Sequence, residues 1–185
     1  MVTIDLITGF LGSGKTTFLK KYAEYLMDQG LHIGILENDF GAINVDMLML
    51  HELRGDQCEL EMIAGGCDAE SHRRRFRTKL ISMRMCGYDR VLVEPSGIYD
   101  VDEFFDVLRE EPLDQWYEIG NVIAILDARL ENNLSQQADY LLASEAANAG
   151  KVILSHADAT TREQCEDTVA HPVSYTHLRA HETGR

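Results

Sequence analysis

Nine residues near the amino end carry the densest chemistry of the chain: Gly9-Phe10-Leu11-Gly12-Ser13-Gly14-Lys15-Thr16-Thr17. Glycines let a backbone curl around an oxyanion. Successive N–H groups and the first turn of a following helix then point at phosphate oxygens. A lysine at position 15 reaches the terminal phosphates of a nucleoside triphosphate, and Thr16 offers a hydroxyl to Mg²⁺. The pattern has this meaning only between a strand and a helix. The apolar run from Val2 to Ile7 precedes it, and Phe18, Leu19, Tyr22, Ala23 and Leu26 recur at helical steps after it. Gly9, Gly12, Ser13, Gly14, Lys15, Thr16 and Thr17 are the expected phosphate-binding set, with Lys15 also stabilising developing charge. The alternative is an ordinary glycine turn.

Three further clusters follow apolar runs. Glu94-Pro95-Ser96-Gly97 comes directly after Arg90–Val93. An acid at a strand tip beside a phosphate loop can orient the shell of Mg²⁺, and Gly97 leaves room for backbone near a γ-phosphate. The other reading of Glu94 is a helix-cap acceptor. Glu37-Asn38-Asp39-Phe40-Gly41 opens a polar stretch, Glu37–Asn44, expected to be a loop. Glu37 and Asp39 are candidates for the metal, and Asp39 for positioning a water; Asp46 is weaker. Ser155-His156-Ala157-Asp158 follows Lys151–Leu154. A carboxylate there can accept both the ring N–H and the exocyclic amine of guanine, a pair that adenine lacks; such a contact is worth roughly 1.5–3 kcal/mol. His156 is either a neighbour of the base or a surface histidine.

Cys67, with Asp68, Glu70 and His72, offers donors that suit Zn²⁺. One cysteine without a second is poor support, and a buried or merely reactive thiol is the competing reading. Cys58 could join Cys67 only if a hairpin folds back. Cys86 and Cys165 read as small hydrophobes.

These residues need a scaffold. Expected strands are Val2–Thr8, His32–Leu36, Gln57–Ile63 (half exposed, or a hairpin arm), Arg90–Val93, Ile119–Leu126 and Lys151–Leu154. Expected helices are Lys15–Gln29, Glu70–Cys86, Asp102–Arg109, Ser135–Asn148 and Thr160–Val169, with Met47–Leu53 ambiguous. Alternating strands and helices argue an α/β fold: a mostly parallel sheet with helices on both faces. In that layout ligands sit at the carboxyl ends of strands, where all four clusters would converge.

The chain has 185 residues, 45% of them hydrophobic, and a net charge of −14. No apolar run reaches the ~18 residues of a membrane span, and the start does not read as a secretory signal. A cytoplasmic protein with no membrane partner is expected, its four cysteines reduced. The charge argues against nucleic acid as a partner. The one basic cluster, Arg73-Arg74-Arg75-Phe76-Arg77, reads as a solvated helix face or a dock for an acidic partner. Residues 172–183 resemble the in-frame translation of a transposase adapter used in DNA library preparation. Residues 172–185 are therefore read as a non-native tail, and the i, i+4 pair His177 and His181 is not taken as a metal site.

Taken together, the phosphate loop, the Glu37–Gly41 segment, the Glu94–Gly97 segment and positions 155–158 resemble the SIMIBI-class P-loop GTPases of the CobW type, metallochaperone-like proteins with nickel-insertion GTPases as cousins. The resemblance covers roughly residues 1–171, read as one GTPase domain that lacks its final strand or strands. It implies a nucleoside triphosphatase with slow, Mg²⁺-dependent GTP hydrolysis, coupled to handing a metal or cofactor to a client metalloprotein or cofactor-dependent enzyme. It also implies a nucleotide-dependent homodimer. Two departures stand out. The family's Gly-Cys-x-Cys-Cys is Gly66-Cys67-Asp68-Ala69-Glu70 here, which leaves a weaker site for Zn²⁺ or another transition metal, or none. The family's Asn-Lys-x-Asp is Ser155-His156-Ala157-Asp158, which keeps only the aspartate and leaves GTP against ATP open. An ATP-dependent kinase or synthetase on the same loop, and a non-enzymatic metal-binding protein using Cys67, are the rival functions.

Overall fold

The computed structural model describes residues 1–10, 12–39, 45–64, 69–95, 101–129 and 136–170. Among these residues six strands, β1 (Val2–Gly9), β2 (Ile33–Asp39), β3 (Cys58–Ala64), β4 (Arg90–Glu94), β5 (Tyr117–Asp127) and β6 (Lys151–Ser155), form one sheet in the order β3-β2-β4-β1-β5-β6. Every pairing is parallel. Parallel neighbours need crossovers, and helices supply them: α1 (Lys15–Asp28), α2 (Val45–Leu50), α3 (Ala69–Arg84), α4 (Val101–Leu108), α5 (Leu113–Trp116) and α6 (Gln136–Asn148). A further helix, α7, covers 162–170.

Strand alternation sends successive side chains to opposite faces, so the sheet has two cores. On one, Leu19, Ala23 and Leu26 of α1 and Leu50 of α2 pack on Ile7, Ile33, Ile35, Leu92 and Ile125. On the other, Phe76, Leu80 and Met83 of α3 and Phe104 and Val107 of α4 pack on Ile4, Leu6, Leu36, Val91 and Val93. Central strands apolar on both faces are what the near-continuous hydrophobic runs require.

The expected α/β fold stands, and four local readings are corrected or decided. The polar run after Leu36 is not a loop at its start: β2 continues to Asp39, because Glu37 pairs with both Met62 of β3 and Glu94 of β4, and Asn38 and Asp39 pair with Ile63 and Ala64. Ladder bonding on the flanking strands overrides the polar composition. Met47–Leu53 becomes the end of α2 followed by a 3-10 turn, His51–Leu53. A short helix that the sequence did not suggest, α5, precedes β5, anchored by buried Leu113. Gln57–Ile63 is an edge strand rather than a hairpin arm, paired in parallel to β2.

The basic cluster divides. Arg73 and Arg77 bind Glu110 beyond α4, and Phe76 is core. Arg74 and Arg75 flank a groove of about 470 Å³ against Met62 and Ile63 of β3. No helix among the described residues is long and apolar enough to cross a membrane.

Candidate functional site

The loop between β1 and α1 turns on glycines in the left-handed region: Gly12 at φ +78° and Gly14 at φ +89°. Gly9 is needed for a different reason. A Cβ there would press into the Ile125 carbonyl oxygen of β5 and sit 2.9 Å from Ser13 Oγ. The Ser13 N–H donates to the Phe10 carbonyl at 3.1 Å, and the Phe18 N–H donates to Gly14 at 3.0 Å, which starts α1. Lys15 is 7% exposed. Its ammonium donates to the carbonyls of Gly9 (2.9 Å) and Phe10 (3.3 Å), folded over its own loop. A buried ammonium with two carbonyl acceptors is poised to exchange them for phosphate oxygens at little cost in desolvation. Thr17 is exposed in the first turn of α1.

Thr16 and Glu94 meet. The Thr16 hydroxyl donates to Glu94 Oε1 at 2.8 Å, joining the start of α1 to the last residue of β4. Glu37 lies in register with Glu94 on the adjacent strand. Residues in register share a face, so the two carboxylates stand side by side on the α1 face, 3% and 4% exposed. Like charges directly opposite in a sheet destabilise it; a divalent cation relieves that. A hydroxyl and two carboxylates are the hard oxygen donors that suit Mg²⁺. Asp39 ends β2 in register with Ala64; its side chain, and Gly97, lie outside the described residues.

Sequence reasoning missed Glu145. This α6 residue is 1% exposed, and neither of its carboxylate oxygens has a hydrogen-bond partner among the described residues. Burial pushes its pKa up to about 7; the nearby Thr8 hydroxyl, Lys15 ammonium and Gly9 N–H pull the other way without offsetting it. It therefore lies behind the phosphate loop. A signal existed: Glu145 is three residues past Leu142, the buried anchor of α6, and shares its face.

The third cluster closes the same end of the sheet. β6 ends at Ser155, in register with Asp127 of β5, and a Cβ on Gly14 would lie 3.7 Å from Ser155 Cβ. His156 holds a left-handed backbone at φ +54°. Its Nδ1 lies 3.3 Å from Asp127 Oδ2. Arg129 grips Asp127 in parallel, Nε to Oδ1 at 3.0 Å and Nη2 to Oδ2 at 2.8 Å. Arg129, above all, holds the Asp127 carboxyl down at about 2. Asp158 is exposed in the 3-10 turn Ala157–Ala159. Asp127 and Arg129 were not singled out in the sequence.

The proposed zinc donors are only partly in view. Cys67 and Asp68 lie outside the described residues. Glu70 is exposed in the first turn of α3, and His72 is buried with Nδ1 2.9 Å from Glu103 Oε1 of α4. Among the described residues, no three His, Cys, Asp or Glu side chains gather to hold a metal. Cys58 is at the amino end of β3, about 20 Å of strand from its carboxyl end, and burial pushes its thiol up to about 11. Cys86 is exposed, not a small hydrophobe in the core, because α3 ends at Arg84 and leaves it in the following turn.

Residues 3–180 match the family profile described as CobW/HypB/UreG, nucleotide-binding domain. The zinc chaperone YeiR of Escherichia coli is 29% identical over 164 residues, 88% of this chain and 49% of that protein. The zinc chaperone YjiA of the same organism is 29% identical over 170 residues, 85% of this chain and 50% of that protein. The chain thus spans about half the length of the curated relatives it matches. Among solved structures, zinc-bound YjiA GTPase superposes with a TM-score of 0.57 at 20% identity, covering 91% of this chain and 54% of that one. The signal recognition particle receptor FtsY of Elizabethkingia anophelis gives 0.62 at 18% identity, covering 89% and 54%. These two likenesses show a shared fold.

Proposed function

Because the chain belongs to the CobW/HypB/UreG nucleotide-binding domains, we propose that it binds GTP with Mg²⁺, hydrolyses it slowly, and couples that cycle to handing a metal to a client protein. The observation that carries the reading is the junction of Thr16 with Glu94, and Glu37 beside it, at the carboxyl end of the sheet next to a buried Lys15.

In this reading the backbone N–H groups of residues 12–16 hold the phosphates at the amino end of α1. Lys15 trades the Gly9 and Phe10 carbonyls for the terminal phosphates and offsets charge that develops there. Thr16, Glu94 and Glu37 hold Mg²⁺, with Asp39 close by on β2. Bound there, Mg²⁺ supplies a positive charge that neutralises phosphate oxygens. Glu94 and Asp39 orient the attacking water. Asp158 accepts from the guanine edge. The relatives' names, zinc chaperone, favour Zn²⁺ as the cargo. Cys67 and Asp68, with Glu70 exposed at the start of α3, are the residues proposed to hold it; His72, two residues on and buried against Glu103, faces the other side of that helix and is left out.

Phosphate release from GTP, measured with and without Mg²⁺, tests the proposal together with competition of GTP and ATP for a fluorescent nucleotide. Wild-type chain should turn over GTP slowly, and Lys15→Ala should lose turnover and most nucleotide affinity. Undiminished affinity in Lys15→Ala removes the site assignment. Preference for ATP moves the reading to an ATP-dependent enzyme on the same loop.

A further inference from the structure

The base position of this chain lacks the lysine that its resemblance leads one to expect, and the structure offers a replacement from another strand. The phosphate loop follows β1 and the Ser155–Asp158 segment follows β6, with β5 between them in the sheet. A nucleotide with its phosphates on Lys15 and its base at Asp158 must cross the tip of β5. Arg129 stands there. Its guanidinium is held flat against Asp127 by two parallel hydrogen bonds, the Arg129 N–H also donates to Asp127 Oδ1 at 2.9 Å, and Nη2 lies 3.2 Å from His156 Nδ1. Asp158 lies close enough to add to the negative field around the guanidinium. With its in-plane donors engaged on one side and its side chain 52% exposed, the group is free to present a planar cationic face.

We propose that Arg129, clamped by Asp127, is the stacking platform for the nucleobase, in place of the missing lysine. The inference rests on the nucleotide reading of the same site. A planar guanidinium stacks on an aromatic face far better than a lysine ammonium does. Every base has such a face, so stacking adds affinity without selecting the base. Selection stays with Asp158, which reads an edge. Asp127 is a positioning residue: it acts through Arg129 by fixing its plane. His156, 3.2 Å from Ser155 Oγ and 3.3 Å from Asp127, closes the far side of the clamp, and its left-handed backbone turns the chain into the Asp158 turn.

The test compares GTP, ATP and inorganic tripolyphosphate as ligands of the full chain in Mg²⁺. Arg129→Ala should weaken GTP and ATP by the same factor, about tenfold, and leave tripolyphosphate unchanged. Arg129→Lys keeps the charge and loses the plane, so it should behave like alanine toward the nucleotides. Asp127→Asn should weaken both nucleotides severalfold, again without affecting tripolyphosphate. A loss confined to GTP would make Arg129 an edge reader and overturn the proposal. An equal loss of tripolyphosphate would make it a phosphate contact, with the same consequence. Full nucleotide affinity in Arg129→Ala defeats this inference alone. A wild-type chain that binds neither tripolyphosphate nor nucleotide defeats the nucleotide reading with it.

Discussion

Glu145 is a buried carboxyl that the fold carries at a cost, and that cost depends on pH. Its ordinary value is 4.5 and burial behind the phosphate loop raises it to about 7. At about 1.4 kcal/mol per unit, ionised Glu145 penalises the folded chain by about 3 kcal/mol. Below pH 4.5 the group is protonated in both folded and unfolded chains and the penalty is absent. Between pH 4.5 and 7 the folded chain binds the extra proton, so stability falls as pH rises. Above pH 7 the penalty is complete. Glu145→Gln keeps the shape and removes the titration; its amide is buried too, but that cost does not vary with pH. The stability difference, variant minus wild type, should therefore grow by about 3 kcal/mol from pH 4.5 to 8 and then level off. Urea unfolding of both proteins at intervals across this range measures it, and titrations common to both cancel. A difference that stays flat, or a wild type that gains on the variant at high pH, would show the carboxylate to be solvated or paired and refute the argument. Nucleotide adds a second readout. Lys15 is the cation among the groups that lower the Glu145 value, so drawing its charge to phosphate should drive proton uptake on GTP binding near pH 7.

Glu94→Gln removes one of two carboxylates that face each other across β2 and β4. The Mg²⁺ concentration that supports nucleotide binding should rise about 10–100-fold, while the ligand-free chain melts no lower, since a like-charge pair is relieved; Mg²⁺ titrations and melting curves measure the two halves. Phe76→Ala opens a hole under α3 where the ring lies 6.3 Å from that of Phe104. It should cost about 3–5 kcal/mol in chemical denaturation, with nucleotide affinity per folded molecule unchanged.

The phosphate loop was legible because everything that defines it is local: an apolar strand, glycines at the turn, a helix beginning at Lys15. Glu94 was legible for the same reason, as an acid at the end of a buried run. Sequence placed Glu37 at the mouth of a loop, yet it is a buried strand residue. Its partners, Met62 and Glu94, belong to strands far along the chain, and only sheet order brings them to either side. α5 escaped because four residues carry too little periodicity to register; Leu113 holds it by packing alone. Asp127 and Arg129 were not singled out, because nothing local sets a polar pair after an apolar run apart. What distinguishes them is that β5 lies between β1 and β6, so the pair stands between the residues proposed for the phosphates and those proposed for the base. The same order, with β4 inserted between β2 and β1, puts Glu94 between Glu37 and Thr16. Local pattern names the groups that can do chemistry, and the order of parallel strands decides which of them share a ligand. A substitution that shifted the register of β4 by one residue would turn Glu94 to the α3 face and dismantle the acid pair with every side chain still present.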